Sequence, residues 1–324
     1  MTATKLLLAI GALASTALNA PQAMAEEGEG GAPAAVTAVS AGAPQTDIYL
    51  ATLGGDGDYV LLGRPRNVTA RAGYDNQPAF SSDGRALFYT SIREDGQADI
   101  YRLSLVEEGA RPVRLTTTRT MSEYSPTPMP GGGLSTVRVE PDGAQHLWRI
   151  TGVGTDVTRL LPRLDNVGYH TWVSETSLAL FLVADPLALV LADRGDRTQS
   201  GGASPLTPIA QDIGRALARS ADGRYVVFVQ THDARNPELR RYEVATGKVS
   251  TWAPMAPDGS GDFAIDPASG AAFTVLGQTL LRLAPDQVRW LAVGDLAVPG
   301  GEINRLAISP RGDRLAIVVA EADP

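Results

Sequence analysis

Cysteine is absent from this 324-residue chain, histidine occurs three times, and lysine only at Lys5 and Lys248. Without cysteine there is neither a disulfide framework nor a thiol for lipoprotein attachment. Basic residues are outnumbered, 28 Lys and Arg against 36 Asp and Glu, for a formal charge of −8. That balance argues against binding phosphate backbones or anionic lipid without sequence preference. Long apolar runs are also lacking, except for LLLAIGALASTAL directly after Lys5. It is shorter than the roughly 20 residues of a bilayer span, which speaks against stable membrane insertion. Small residues, Ala23-Met24-Ala25, close it. Residues 1–25 therefore read as a secretory signal peptide cleaved after Ala25, with delivery to a Gram-negative periplasm or to the outside. Residues 26–46 are rich in Gly, Ala and Pro, carry Glu26, Glu27 and Glu29, and read as a flexible linker.

What the remainder has is a repeat. The turn Ser81-Ser82-Asp83-Gly84 has counterparts at Gly132, Thr176, Gly223, Gly270 and Gly312, at intervals of 48, 44, 47, 47 and 42 residues. Each marker is followed by a short apolar run, ALFYT (86–90), LSTVRV (134–139), LALFLV (178–183), YVVFV (225–229), AAFTV (271–275) or LAIVV (315–319). Third strands follow in five of the units, such as DIYRLSL (99–105), HLWRIT (146–151) and LRRYEV (239–244), and fourth strands such as VRLTT (113–117) and VTRLL (157–161). A period in this range denotes propeller blades of four antiparallel strands. The sixth unit stops after its second strand, while DIYLATL (47–53) matches a third strand and the run ending in Arg66-Asn67-Val68-Thr69 a fourth. The expected fold is all-β, a six-bladed propeller over residues 47–324 whose N-terminal strands complete the C-terminal blade and so remove two open sheet edges. A β-sandwich also shows short, evenly spaced strands, but it predicts no constant period.

The first unit, with Asn76, Pro78, Phe80, Ser82-Asp83-Gly84-Arg85, Asp99-Ile100-Tyr101 and Arg114-Leu115-Thr116, resembles the repeat of the TolB-like six-bladed propellers. Later units keep less of it: Ser125-Pro126 and Trp148 in the second, Asp222-Gly223-Arg224 in the fourth. The resemblance covers the region after the linker, without the N-terminal α/β domain of TolB. It implies a propeller on which other envelope proteins dock.

Counting back from the turn markers places Asp75, Asn76, Gln77, Glu123, Tyr124, Ser125, Tyr169, His170, Gly214, Arg215, Asp262, Glu302, Asn304 and Arg305 just before or within the innermost strands, at the channel mouth. Ten of these are the candidate site: Asp75, Asn76, Glu123, Tyr124, Tyr169, His170, Arg215, Asp262, Asn304 and Arg305. With Trp172, the tyrosines bring aromatic surface of the kind a peptide or sugar requires. His146 and His232 fall on an outer strand and in a loop, so only His170, with Asp75, Glu123 or Asp262, offers metal ligands. No metal or cofactor is expected. Gly54-Gly55-Asp56-Gly57-Asp58 reads as a hairpin turn, and Arg194-Gly195-Asp196 and Arg311-Gly312-Asp313 as turns. The Gly- and Ser-rich interval 192–211 reads as an outer loop of the third blade. G-x-S-x-G, H-E-x-x-H and phosphate-loop motifs are absent. The expected role is a monomeric, non-catalytic propeller binding an envelope protein or peptide at its channel mouth. The alternatives are a carbohydrate- or small-ligand-binding propeller and a metal-assisted lyase or hydrolase centred on His170.

Overall fold

A computed structural model of the chain describes residues 43–56, 59–152, 156–194, 206–231, 236–255 and 261–321. The expected signal peptide, the linker up to residue 42, His232 and residues 195–205 lie outside the described residues. Every regular element among those described is a β-strand, and no helix is long and apolar enough to cross a membrane.

The chain enters through β1 (Thr46–Asp56), β2 (Tyr59–Leu62) and β3 (Arg66–Asn67). Blade I is β4 (Tyr74–Phe80), β5 (Ala86–Ile92), β6 (Ala98–Ser104) and β7 (Val113–Arg114). Blade II is β8 (Ser122–Pro128), β9 (Leu134–Val139), β10 (Gln145–Thr151) and β11 (Asp156–Arg159). Blade III is β12 (Val167–Trp172), β13 (Ser177–Leu182), β14 (Ala188–Asp193) and β15 (Leu206–Gln211). Blade IV is β16 (Ile213–Arg219), β17 (Tyr225–Gln230), β18 (Glu238–Glu243) and β19 (Val249–Pro254). Blade V is β20 (Ala264–Ile265), β21 (Ala272–Leu276), β22 (Thr279–Leu283) and β23 (Leu291–Asp295). The last blade begins with β24 (Ile303–Ile308) and β25 (Arg314–Ala320).

That last blade is completed by the start of the chain. β1 pairs antiparallel with β25, Ile48 opposite Val318 and Ala51 opposite Leu315, and β3 pairs with the other edge of β1. A single parallel bridge, Thr46 to Tyr74, and the bond from Arg314 Nη1 to the Gly84 carbonyl (3.2 Å) tie this blade to blade I. The innermost strands β4, β8, β12, β16, β20 and β24 touch in that order and close from β24 back to β4. The molecule is therefore a six-bladed ring. Gly54, Gly55 and Asp56 end β1 and pair with Leu61, Val60 and Tyr59 of β2, while Gly57 and Asp58 lie outside the described residues.

Two side-chain devices explain why the repeat is visible in the sequence. In blade I, Ser81 Oγ donates to Asp83 Oδ1 (2.6 Å), which also accepts from the Arg85 amide (3.0 Å), while the Ala86 amide donates to Ser81 Oγ (2.9 Å). Ser220, Asp222, Arg224 and Tyr225 repeat those bonds at 2.6, 3.0 and 2.8 Å. The glycine next to each aspartate takes a φ near +70° (Gly84 70°, Gly223 72°), a conformation that strains any residue with a Cβ. The second device clasps third strand to fourth. Asp99 accepts from Arg114 and from Thr116 Oγ1 (3.1 Å), and Thr116 Oγ1 accepts from the Ile100 amide (2.9 Å). In the closing blade Asp47 accepts from Asn67 (2.7 Å) and Thr69 (2.8 Å), and Thr69 Oγ1 from the Ile48 amide (2.9 Å). β1 and β3 are thus third and fourth strands in chemistry as well as in position.

The core lies between the blades. β9, β13, β17 and β25 are buried on both faces, as near-continuous apolar strands must be. Val137 and Leu147 of blade II pack with Leu178, Leu180 and Val190 of blade III, and Ile48 and Val318 of the closing blade pack with Leu87 and Tyr89 of blade I.

Candidate functional site

The innermost strands are irregular where they approach the axis. The pairing register shifts after Asn76, Tyr124, Val167, Ile213 and Ile303, in five of the six inner strands. Such bulges re-aim side chains and gather beside functional sites. In blades I and II they put two non-glycine residues in the left-handed region, Gln77 at φ 57° and Ser125 at φ 55°. A conformation of this kind costs roughly 1–3 kcal/mol and persists only where the surroundings impose it. The Ser125 amide donates to Gln77 Oε1 at 2.6 Å, and Thr90 Oγ1 donates to the same oxygen at 3.0 Å. The two strained residues hold each other across the blade boundary.

These turned-in residues line a cavity of about 170 Å³. Its wall includes Gln77 from β4, Ser125 from β8, Tyr169 and His170 from β12, Arg215 from β16, Asp262 just before β20 and Arg305 from β24. Every blade contributes, so the cavity lies on the ring axis.

Arg305 donates to Tyr169 Oη (2.9 Å) and stands 5.1 Å from the centre of that ring. Arg215 donates to the Asn304 carbonyl (2.5 Å), and its Nε is 3.5 Å from Asp262 Oδ2. Burial pushes the Asp262 carboxyl above the usual carboxylate range, while Arg215 and Arg305 pull it back. His170 is buried, and desolvation takes its imidazole down to about 3, so it is neutral at pH 7. Its Nε2 lies 2.6 Å from Ser135 Oγ, which also accepts from Trp172 Nε1 (2.9 Å). Ser135, on the second strand of blade II, was not singled out in the sequence, and nothing in its local pattern marks it. It is wholly buried, so the Ser135–His170 pair is an inter-blade clip with no hydroxyl open to a substrate.

Of the ten candidate residues, five line the cavity: Tyr169, His170, Arg215, Asp262 and Arg305. Asn304 contributes its carbonyl to Arg215. The other four are packed inside the ring. Asp75 is fully buried and pairs with Arg71 at 3.2 Å. Glu123 is fully buried between Arg138 (2.8 Å) and Thr118 (2.6 Å). Burial raises both carboxyls above their ordinary range. Asn76 turns its Oδ1 onto the Gln77 amide (2.7 Å), and Tyr124 packs with Ala98. His146 accepts no place in the channel; its Nδ1 bonds the Leu164 carbonyl at 2.7 Å. Among the described residues no three His, Asp or Glu side chains converge as metal ligands.

A ring of six four-stranded blades around one polar axial cavity defines the class of the molecule, a closed β-propeller. In fold it is a TolB-like propeller. A putative TolB from Agrobacterium tumefaciens superposes with a TM-score of 0.63 at 16% identity, over 87% of this chain and all of that one. An oligogalacturonate lyase in complex with manganese superposes with a TM-score of 0.54 at 11% identity, over 80% of each chain. In sequence, 96 residues are 31% identical to the Tol-Pal system protein TolB of Desulfosudis oleivorans, taking in 30% of this chain and about a fifth (21%) of that protein. No family model matches the chain.

Proposed function

We propose that this protein is an exported, non-catalytic propeller that binds a protein or peptide segment of the cell envelope at its axial cavity. The observation that carries this reading is the cavity itself, to which five inner strands and the segment before β20 bring side chains and in which Arg215, Arg305 and Gln77 present donors. The leader-like residues 1–25 and the partial likeness to a Tol-Pal system protein support an envelope location. A hydrolytic reading would need a reachable nucleophile, and the serine beside His170 is sealed in the core. A metal-centred reading would need further ligands beside His170, and among the described residues no three His, Asp or Glu side chains converge.

The test is affinity capture from envelope extract with the immobilised propeller. Native protein retains a stoichiometric partner, and Arg215→Ala and Arg305→Ala reduce that retention while circular dichroism and melting temperature show an intact ring. Capture unchanged by both substitutions would move the binding site away from the axis.

A further inference from the structure

The axial cavity carries a donor pattern more specific than "polar". Gln77 is 5% exposed, and its amide orientation is fixed, because the Ser125 backbone N–H can only donate and therefore meets Oε1. The Nε2 group on the other side is buried and has no hydrogen-bond partner, and neither does Ser125 Oγ. His170 Nδ1 is likewise buried without a partner. Ser135 Oγ donates to the Thr127 carbonyl (3.2 Å) and lies 2.6 Å from His170 Nε2. Two guanidiniums join these groups, Arg215 at 18% side-chain exposure and Arg305 beside Tyr169. One carboxylate faces them, Asp262, 3.5 Å from Arg215.

Whether Asp262 is ionised or protonated, two arginines against one acid leave the lining net positive, in a chain whose overall charge is −8. A neutral occupant would cover the excess guanidinium without a counter-charge, which is costly away from water. A sugar hydroxyl could satisfy Gln77 but not that excess. Planar guanidinium and amide donors match a carboxylate, which can accept from both at once. The volume, about 170 Å³, suits one small group and not a folded element.

We infer that the axial cavity is a carboxylate-binding site, taking the C-terminal carboxylate or an acidic side chain of the peptide segment held at the mouth, with Arg305, Arg215 and the Gln77 amide as its donors. This rests on the reading of the channel as a peptide site and names the chemistry it selects.

The probes are N-acetylglycine, N-acetylglycinamide, the α-amide of N-acetylglutamic acid with its side-chain acid free, and inorganic phosphate, at matched ionic strength. The readout is the shift of the Arg215 and Arg305 Nε–H resonances in the full chain. The expected result is a saturable shift of both with N-acetylglycine or with the side-chain acid, the two separating a terminal from a side-chain source, and none with N-acetylglycinamide. Arg305→Gln removes the response. Gln77→Glu, which keeps the acceptor for Ser125 but replaces the amide donor by a carboxylate, weakens it at least tenfold in affinity. Equal response to acid and amide, a response to phosphate alone, or a carboxylate response unchanged in both variants would overturn the inference. If the acids fail while Arg215→Ala still abolishes partner capture, the peptide reading stands and the carboxylate assignment falls.

Discussion

Gln77 cannot turn its amide over without setting two donors, Nε2 and the Ser125 backbone N–H, against each other. One end of the side chain therefore has a structural duty and the other faces the cavity. Gln77→Leu removes the acceptor for Ser125 and Thr90 together and should cost roughly 1–3 kcal/mol, the usual penalty of leaving a buried donor unpaired. Urea unfolding checks this; a change within error would mean that Ser125 finds another partner. His170 gives a pH prediction. Its folded pKa, about 3, lies below the ordinary 6.5, so between those values the unfolded chain binds the extra proton and acidification destabilises the fold. Stability from this group is complete above pH 6.5 and declines as pH falls toward 3. Asp75, Glu123 and Asp262, raised by burial, act in the opposite direction at acid pH. The measurement is thus a difference: His170→Gln should lose less stability than the native chain between pH 6.5 and pH 4, and parallel curves would show that His170 is not neutral in the fold.

At the scale of elements, the hairpin turns and clasps were legible because they are short-range chemistry repeated at fixed spacing. Ser81 with Asp83, and Asp99 with Arg114 and Thr116, leave a pattern a reader can lay over Ser220-Asp222 and over Asp47-Asn67-Thr69. Closure was legible for the same reason: Asp47-Ile48-Tyr49 reads as a third strand before any pairing is known. The bulges were not. Counting from the turns gives how far along an inner strand a residue lies, but a register shift changes which way it points. After Asn76 and Tyr124 the shift brings Gln77 and Ser125 to the cavity, while Asp75 and Glu123, one step further out, face Arg71 and Arg138 inside the ring. In β12 the shift comes earlier, after Val167, and Tyr169 and His170 reach the axis. Ile48, buried completely in the closing strand, tests the closure. Ile48→Ala should cost roughly 2–5 kcal/mol, as for other large-to-small core changes. A loss below about 1 kcal/mol would mean that β1 contributes little to holding the ring.

For the whole molecule, the axial cavity exists only if β24 returns to β4 and the sixth inner strand, which carries Arg305, completes the wall. Net charge gave no hint of a positive axis, because Arg215 and Arg305 are 90 positions apart in an acidic chain and only the ring brings them to one site. The opposite kind of surface is also present. Trp252 and Tyr225 between blades IV and V, with Arg241 3.7 Å from the Trp252 ring centre, form a separate groove of about 270 Å³ lined by the Ser220–Asp222 and Ala268–Gly270 turns. Hydrogen–deuterium exchange on the propeller with and without its captured envelope partner distinguishes the two. The account predicts added protection in peptides covering residues 77–79, 125–127, 169–170, 215–217, 262–263 and 305–306, drawn from five inner strands and the segment leading into β20. Protection confined to the Trp252 groove, or to the outer strands of one blade, would contradict it.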